Sequence, residues 1–570
     1  MSGAAMDFVF TLHSHLPYML NHGRWPHGSD WLCEAALDTY LPLLETLQGL
    51  ETAAVPAPVT IGFTPVLANQ LVSPTFVSEM EAFFEQRIAA CEAAPASLAT
   101  TGDQALLPLV GFWQDRLHRL RRLFQQTGGD LVTPFRALEA AGRLEIIGSA
   151  ATHGFLPLLA RDESIRLQLA VGAAEHRRLF GRAPAGCWLP ECAYRPRGPW
   201  EPWPTAPRTG IRRGIEEHLA DAGFRYFFVD SHLASAGRAL GLSGDPGASD
   251  PILHTPRARD LPEQARRSPY QAYRVAHARG VANVTAYVRD PRASMQVWSR
   301  FEGYPGDEWY LEFHKMRWPG GLKLWRVSGP DVDLGGKQMY VPATALGRAR
   351  DHAEHFAGVL AGIAQSDTRL REGVVVAPFD TELFGHWWFE GPDFLGAVYR
   401  ALARRDRGVR PVTGSRHLAE HPARQAIRMP AGSWGANGDF SMWLSGQTAW
   451  TWERLWPIEA AFWDVAPTAL ESAAARPVLA QAARQLLLAQ SSDWQFIIST
   501  GAATDYGELR FREHCADTES LVEALRDGGP GALEAAGRRA DELGQRDNLF
   551  PDILPAVRAA LGGSRSLVLG

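Results

Sequence analysis

An α/β fold, an incomplete seven-stranded (β/α)7 barrel with an inserted helical subdomain and a C-terminal all-helical domain, is what the residue pattern of this chain implies. Seven short apolar runs alternate with segments of mostly helical pattern, the order that builds a parallel sheet covered by helices. At least five of those runs end in a histidine, a carboxylate or another polar group. Parallel α/β barrels assemble their active sites from such strand ends. No glycine-rich phosphate loop follows any run, which argues against an open doubly wound sheet.

The first run, 8–12, leads into His13-Ser14-His15-Leu16-Pro17-Tyr18. The period-two geometry of a strand puts His13 and His15 on one face, just past the apolar part. A helical pattern covers 32–50, the second run is 59–64, and helical patterning over about 71–140 marks the insertion. Run three, 143–148, is followed by Ser149 and His153. Run four ends in Trp188-Leu189-Pro190, and Glu191 follows at once. Proline lacks an amide donor and disfavours helical geometry in the residue before it, so no helix crosses Pro190 and Glu191 stands at a strand tip. Run five, 224–229, ends at Asp230, Ser231 and His232. The Gly/Ala/Pro/Arg-rich stretch that follows is too polar and broken for core, and a flexible loop is expected at about 233–273. Runs six and seven, 282–288 and 373–379, end at Arg289-Asp290 and at Asp380. Past about 415 the strand signal fades, and helical stretches carry Trp450, Trp452, Trp456, Trp463 and Trp494. The expected division is a catalytic barrel over 1–415 and a helical domain over 416–570.

Hydrophobic residues make up 46% and charged residues 21% of the 570, as in a soluble globular protein of more than one domain. A formal charge of −6 leaves no basic footprint, which argues against nucleic acid or an acidic membrane surface as the main partner. No signal-peptide pattern opens the chain, and no run approaches the roughly 18 apolar residues of a membrane span, so a cytoplasmic location is expected. Five cysteines without a CxxC pair argue against both a disulfide framework and a structural zinc. The 19 tryptophans suit a carbohydrate site, where flat aromatic faces cover the CH faces of sugar rings. Lysine occurs only at 315, 323 and 337, a hint that an ammonium is wanted in that one segment.

Two carboxylates on different strand ends, Glu191 and Asp380, together with His13 and His153, suit retaining glycoside chemistry. There one carboxylate attacks the anomeric carbon while the other protonates the leaving oxygen, at a separation of roughly 5 to 5.5 Å. Two rivals explain part of the pattern. A His-x-His at the first strand end, with later His and Asp, can hold a catalytic divalent metal in amidohydrolase-like barrels, but leaves Glu191 and the tryptophans unexplained. An inactive glucan-binding protein needs only the tryptophans.

The ordered motifs His13-Ser14-His15-Leu16-Pro17-Tyr18, Ala151-Thr152-His153-Gly154-Phe155-Leu156-Pro157, Trp188-Leu189-Pro190-Glu191-Cys192-Ala193-Tyr194 and Asp380-Thr381-Glu382-Leu383-Phe384-Gly385-His386-Trp387-Trp388 resemble those of glycoside hydrolase family 57. The 1,4-α-glucan branching enzyme subgroup is the most similar, over residues 6 to about 500. The resemblance implies the same incomplete barrel, with Glu191 as nucleophile and Asp380 as general acid/base. It implies that His13 and His153 hold sugar hydroxyls, that His15 and Trp387 also bind substrate, and that Trp298, Trp434 and Trp443 line the glucan, the last two from the helical domain. Asp493 matches an acidic residue near the site. A loop tyrosine of the family falls on Tyr270 or Tyr273, and closure of such a loop would shield the glycosyl enzyme from water. No cofactor and no metal are implied; the partner is an α-glucan such as amylose or glycogen, and the enzyme a monomer. An α-amylase or a 4-α-glucanotransferase is the nearest alternative.

Overall fold

The computed structural model describes residues 5–236, 268–277, 279–299, 302–366, 372–404 and 407–562. Each of the seven apolar runs forms a strand: β1 (Met6–Ser14), β2 (Thr60–Phe63), β3 (Glu145–Ser149), β4 (Gly186–Trp188), β5 (Tyr226–Val229), β6 (Gly280–Val288) and β7 (Val374–Asp380). They pair in parallel in the order β7-β1-β2-β3-β4-β5-β6. The two ends of this sheet then meet through one parallel bridge, Arg289 with Val376, where the Asp290 N–H donates to the Val376 carbonyl at 2.8 Å. Nearer the start of β7 the Tyr270 carbonyl accepts from the Val374 N–H at 2.9 Å. The barrel is therefore incomplete, its two ends meeting at a seam rather than through a full ladder.

Parity along each strand sorts its side chains. Val9, Ile147, Trp188, Phe228, Tyr287 and Val376 belong to one buried cluster, the barrel interior. Phe8, Phe10, Leu12, Ile61, Phe227 and Val375 belong to another, packed under the helices. The interior leaves no spare room: a Cβ on Gly186 would lie 2.4 Å from the Tyr226 ring. Continuing the inward parity past the apolar layer gives His13, Asp230, Arg289 and Asp380, with His13 the register partner of Asp380. The polar strand ends face one another because the apolar residues below them do.

The insertion consists of helices Pro74–Thr101, Leu107–Gln126 and Val132–Ala140. Its long first helix opens with proline after the Ser73 cap, whose hydroxyl accepts from the Thr75 N–H at 3.3 Å, and stops at Gly102 in the left-handed region, φ 79°. Helices Ala449–Glu471, Arg476–Ala489, Asp493–Thr500, Thr504–Asp527, Pro530–Arg546 and Ile553–Leu561 make up an all-helical C-terminal domain. No helix among the described residues is long and apolar enough to cross a membrane.

Two local expectations change. Within the expected loop at 233–273, residues 237–267 lie outside the described residues, but Tyr273 begins a strand, Tyr273–His277, antiparallel to β6. Gln425–Ile427 extends that sheet, beyond the point where the strand signal fades. Three and five residues are too short for alternation to separate a strand from a loop. Trp434 and Trp443 stand on an irregular stretch containing the turn Ala436–Gly438, ahead of the first C-terminal helix rather than within one.

Candidate active site

Glu191 leaves β4 through the turn Pro190–Cys192, with φ 60° and ψ 22°, and Cys192 follows at φ 48°. Left-handed backbone at two successive non-glycine residues persists only where the surroundings over-determine it. Here they do: the Trp434 N–H donates to the Glu191 carbonyl at 3.0 Å, and Tyr194 and Gly432 exchange bonds of 2.8 and 3.0 Å. The loop that fixes the Glu191 backbone also reaches its carboxylate, for the Trp434 indole N–H donates to Oε2 at 2.9 Å. Ser492 Oγ lies 3.4 Å from Oε1, and His153 Nδ1 lies 3.8 Å from it.

The histidines stand above the barrel interior. His13 stacks on Trp188, centroids 4.6 Å apart, and its Nε2 lies 3.0 Å from Nε2 of His153. Burial holds both imidazoles well below their ordinary pKa, charge on neighbouring rings lowers them further, and Asp493 opposes this at His153. Neutral imidazoles can both donate to and accept from sugar hydroxyls. His15 stacks on His153 at 4.0 Å, and its Nδ1 and Nε2 meet Thr64 Oγ1 at 2.9 Å and Asp493 Oδ2 at 2.9 Å. Burial would raise the Asp493 pKa, but His15 and the Ser491 hydroxyl hold it below the usual carboxylate value.

Asp380, at the tip of β7, is pushed up to about 8 by burial and by the Glu382 charge, against the opposing pull of Arg289. Glu191 is also pushed up to about 8, by burial foremost and by Asp380 and Asp493, while the Trp434 bond opposes the shift. Among the described residues no hydrogen bond reaches the Asp380 carboxylate, so the two acids differ in their donors. Glu191 has a donor that favours the ionised form; Asp380 has a neighbouring carboxylate that favours the protonated one. Both carboxyls are raised alike, and the indole donor at Glu191 is what separates them.

Sequence reasoning named Asp230, Arg289 and Glu382 at or just past strand ends but gave them no role in the site. Glu382 accepts from the Tyr40 hydroxyl at 2.6 Å and the His15 N–H at 3.0 Å, and burial pushes it up to about 7. Arg289 bridges to Asp230 at 3.3 Å. The signal for both of these was their place at strand ends. Of the expected substrate residues, Trp298 meets Trp434 edge to face at 5.9 Å, and its buried indole N–H has no partner among the described residues. Trp387 is 42% exposed on the turn after Asp380. Trp443 is buried and stacks on Phe155 at 4.6 Å. Tyr270 lies at the barrel seam, beside Asp290 and Arg292, and Tyr273 is buried with its hydroxyl on the Ser268 carbonyl at 2.8 Å, so neither joins the cluster around Glu191.

The rival metal reading has a definite locus. His15, His153 and Asp493 bring one ligand atom each to within 4.8 Å of one another. All four ring nitrogens of the two histidines already have protein partners, namely Thr64, Asp493, His13 and Ser492. An ion would have to displace bonds that account for the geometry.

Glycosyl hydrolase family 57 matches residues 9–430, and the C-terminal region of 1,4-alpha-glucan branching enzymes matches residues 458–557. A 1,4-alpha-glucan branching enzyme of Thermococcus kodakarensis is 37% identical over 551 residues, spanning 96% of this chain and 77% of that protein. The crystal structure of a branching enzyme of this family from Pyrococcus horikoshii superposes with a TM-score of 0.83 at 36% identity, covering 97% of this chain and 96% of that one. The α-amylase AmyC of Thermotoga maritima gives 0.77 at 26% identity, covering 97% and 99%. Matched over its barrel by the family and over its helical domain by the branching-enzyme region, the chain belongs to glycosyl hydrolase family 57, in the branching-enzyme subgroup.

Proposed function

We propose that this chain is a retaining 1,4-α-glucan branching enzyme. It cuts an α-1,4 chain, holds the donor fragment on Glu191 and passes it to a 6-hydroxyl of an acceptor glucan. Asp380 protonates the leaving oxygen and then takes the acceptor's proton, so no cofactor is required. Trp298 and Trp434 offer aromatic surface to the glucan, and a sugar hydroxyl at His13 or His153 has to exchange with the bond between the two rings or with the His153–Ser492 bond. The reading takes amylose or glycogen as partner, a monomer in the cytoplasm, a catalytic unit over 1–415 and a helical unit over 416–570.

The observation that carries it is the reach of the branching-enzyme C-terminal region into the site. Ser492 and Asp493, within the matched residues 458–557, meet Glu191, His153 and His15. The test is proton NMR of the products formed from amylose. Branching predicts α-1,6 anomeric signals well in excess of new reducing ends. A hydrolytic second reading is favoured by the full-length likeness to the Thermotoga maritima α-amylase. It predicts reducing ends without α-1,6 signals, and a 4-α-glucanotransferase predicts redistributed α-1,4 chains with neither.

A further inference from the structure

Ser492 holds a position that the helix it begins does not explain. It is the N-cap of helix Asp493–Thr500, where a serine hydroxyl ordinarily accepts from a backbone N–H of the first turn, yet its side chain makes no such bond. The hydroxyl is turned instead toward His153 Nδ1, at 2.9 Å, and Glu191 Oε1, at 3.4 Å. The backbone locks the pairing: the Ser492 N–H donates to the His153 carbonyl at 3.1 Å, and Ser491 bridges Gly154.

We propose that Ser492 is a positioning residue for the nucleophilic carboxylate, the last donor in a one-way hydrogen-bond chain that runs from His13 through His153 and Ser492 to Glu191. The proposal rests on the reading of Glu191 as nucleophile.

The direction follows from counting protons. Both imidazoles are buried and neutral, with one N–H each. Their Nε2 atoms lie 3.0 Å apart, so only one of the two carries the proton between them. If His13 donates, His153 keeps its proton on Nδ1 and gives it to the Ser492 oxygen, which leaves the Ser492 proton for Glu191. His13 Nδ1, buried without a partner among the described residues, is then a bare lone pair. In the reverse arrangement His13 Nδ1 would be a buried N–H with no acceptor, the costlier orphan. Ser492 would spend its proton on His153, and two oxygens would face each other at 3.4 Å with no proton between them. The forward chain satisfies every donor. The Trp434 indole holds Oε2 and Ser492 restrains Oε1, which fixes the carboxylate plane and favours its ionised form.

The test compares wild type, Ser492→Ala and Ser492→Thr in the full chain, with glucan turnover followed as a function of pH. The alanine variant is expected to lose about tenfold in kcat/KM and to shift the acid limb upward by about half a pH unit or more, because one donor to the charged carboxylate is gone. Threonine, which keeps the hydroxyl, is expected to restore both. Superimposable pH profiles for wild type and Ser492→Ala, or a loss that threonine does not recover, would overturn the proposal. If wild type releases only reducing ends, the branching reading fails, but the same profiles still report on Ser492 because the first step is shared. A readout that needs no turnover is the 15N NMR tautomer of His153. The proton is expected on Nδ1, and a proton on Nε2 overturns the chain whatever the enzyme makes.

Discussion

Glu191 shows how one residue can be tuned from several directions. Its backbone is strained, its burial favours the neutral acid, and the Trp434 indole N–H on Oε2 pulls the other way. In the proposed roles the nucleophile Glu191 must be ionised and Asp380 protonated, so activity is expected to rise with pH through the Glu191 pKa and to fall once Asp380 has lost its proton. Trp434 therefore has two roles that substitution can separate. Trp434→Phe keeps an aromatic face but removes a hydrogen bond to a charged group, worth about 1.5–3 kcal/mol, or roughly ten- to a hundredfold in kcat/KM. Without that donor the Glu191 pKa moves further up, so the acid limb of the pH–rate profile is expected at higher pH than in wild type. A profile that keeps its acid limb while KM rises would mean that the indole serves the glucan alone.

The element that presents the second carboxylate is held from behind by a π-helical turn, Ala36–Tyr40. Tyr40 bonds Glu382, the Thr39 hydroxyl accepts from the His386 N–H at 3.0 Å, and a Cβ on Gly385 (φ 128°) would lie 2.0 Å from the Asp38 carbonyl. Asp38 is itself paired with Lys323 at 2.8 Å, both buried. Burial works against both charges, and each nevertheless keeps its partner ionised, Asp38 held low and Lys323 held high. Lys323→Met should leave an unpaired buried carboxylate and cost about 3–5 kcal/mol, and adding Asp38→Leu should recover most of it. Denaturant unfolding of the single and double variants checks this; equal stabilities for the two would reject the pair as a coupled unit. The clustering of lysines, read as a hint that an ammonium is wanted in that segment, is met at Lys323 by the buried pair with Asp38. Lys337 pairs with Glu312 at 3.0 Å and Lys315 sits over Trp325 at 4.5 Å, and these contacts are structural. The barrel strands and Glu191, His13 and Asp380 were legible because local alternation and the residues just past each run determine them. Ser492 and Tyr40 were not, since their partners lie hundreds of residues away, and no local pattern records a contact between Ser492 and Glu191. The strand Tyr273–His277 was hidden by its length.

Taken whole, the molecule is a barrel whose mouth is completed by its own C-terminal helices. Glu459 accepts from the Ala160 N–H at 2.8 Å, Thr152 bonds the Leu487 carbonyl, and Asp547 ties His22 at 2.6 Å to Gln485 at 2.7 Å. Closing the mouth this way buries titratable groups in number, and they link stability to pH in two opposite senses. Burial pushes Glu191, Asp380 and Glu390 up to about 8, and Glu382 and Glu459 up to about 7. A carboxyl whose folded pKa is raised contributes stability that is fully present below its unfolded value, near 4, and is lost as pH rises through the folded value. The buried imidazoles of His13, His153 and His514 are held well below 6.5, so their contribution is present above 6.5 and is lost as pH falls beneath it. Between pH 6.5 and 8 only the carboxyls change, and each group with a folded value near 8 removes about 1.4 kcal/mol per pH unit as pH rises. Below 6.5 each histidine taken up by the unfolded chain offsets a carboxyl. The expected profile falls from pH 6.5 to 8, levels off above 8, and flattens below 6.5. Thermal unfolding across that range tests it, and Glu390→Gln, away from the chemistry, should lessen the slope between 6.5 and 8 by one proton's worth. A Tm constant over that interval would mean that these carboxyls are ionised in the folded protein, and with it the acid role of Asp380 at neutral pH would lose its electrostatic basis.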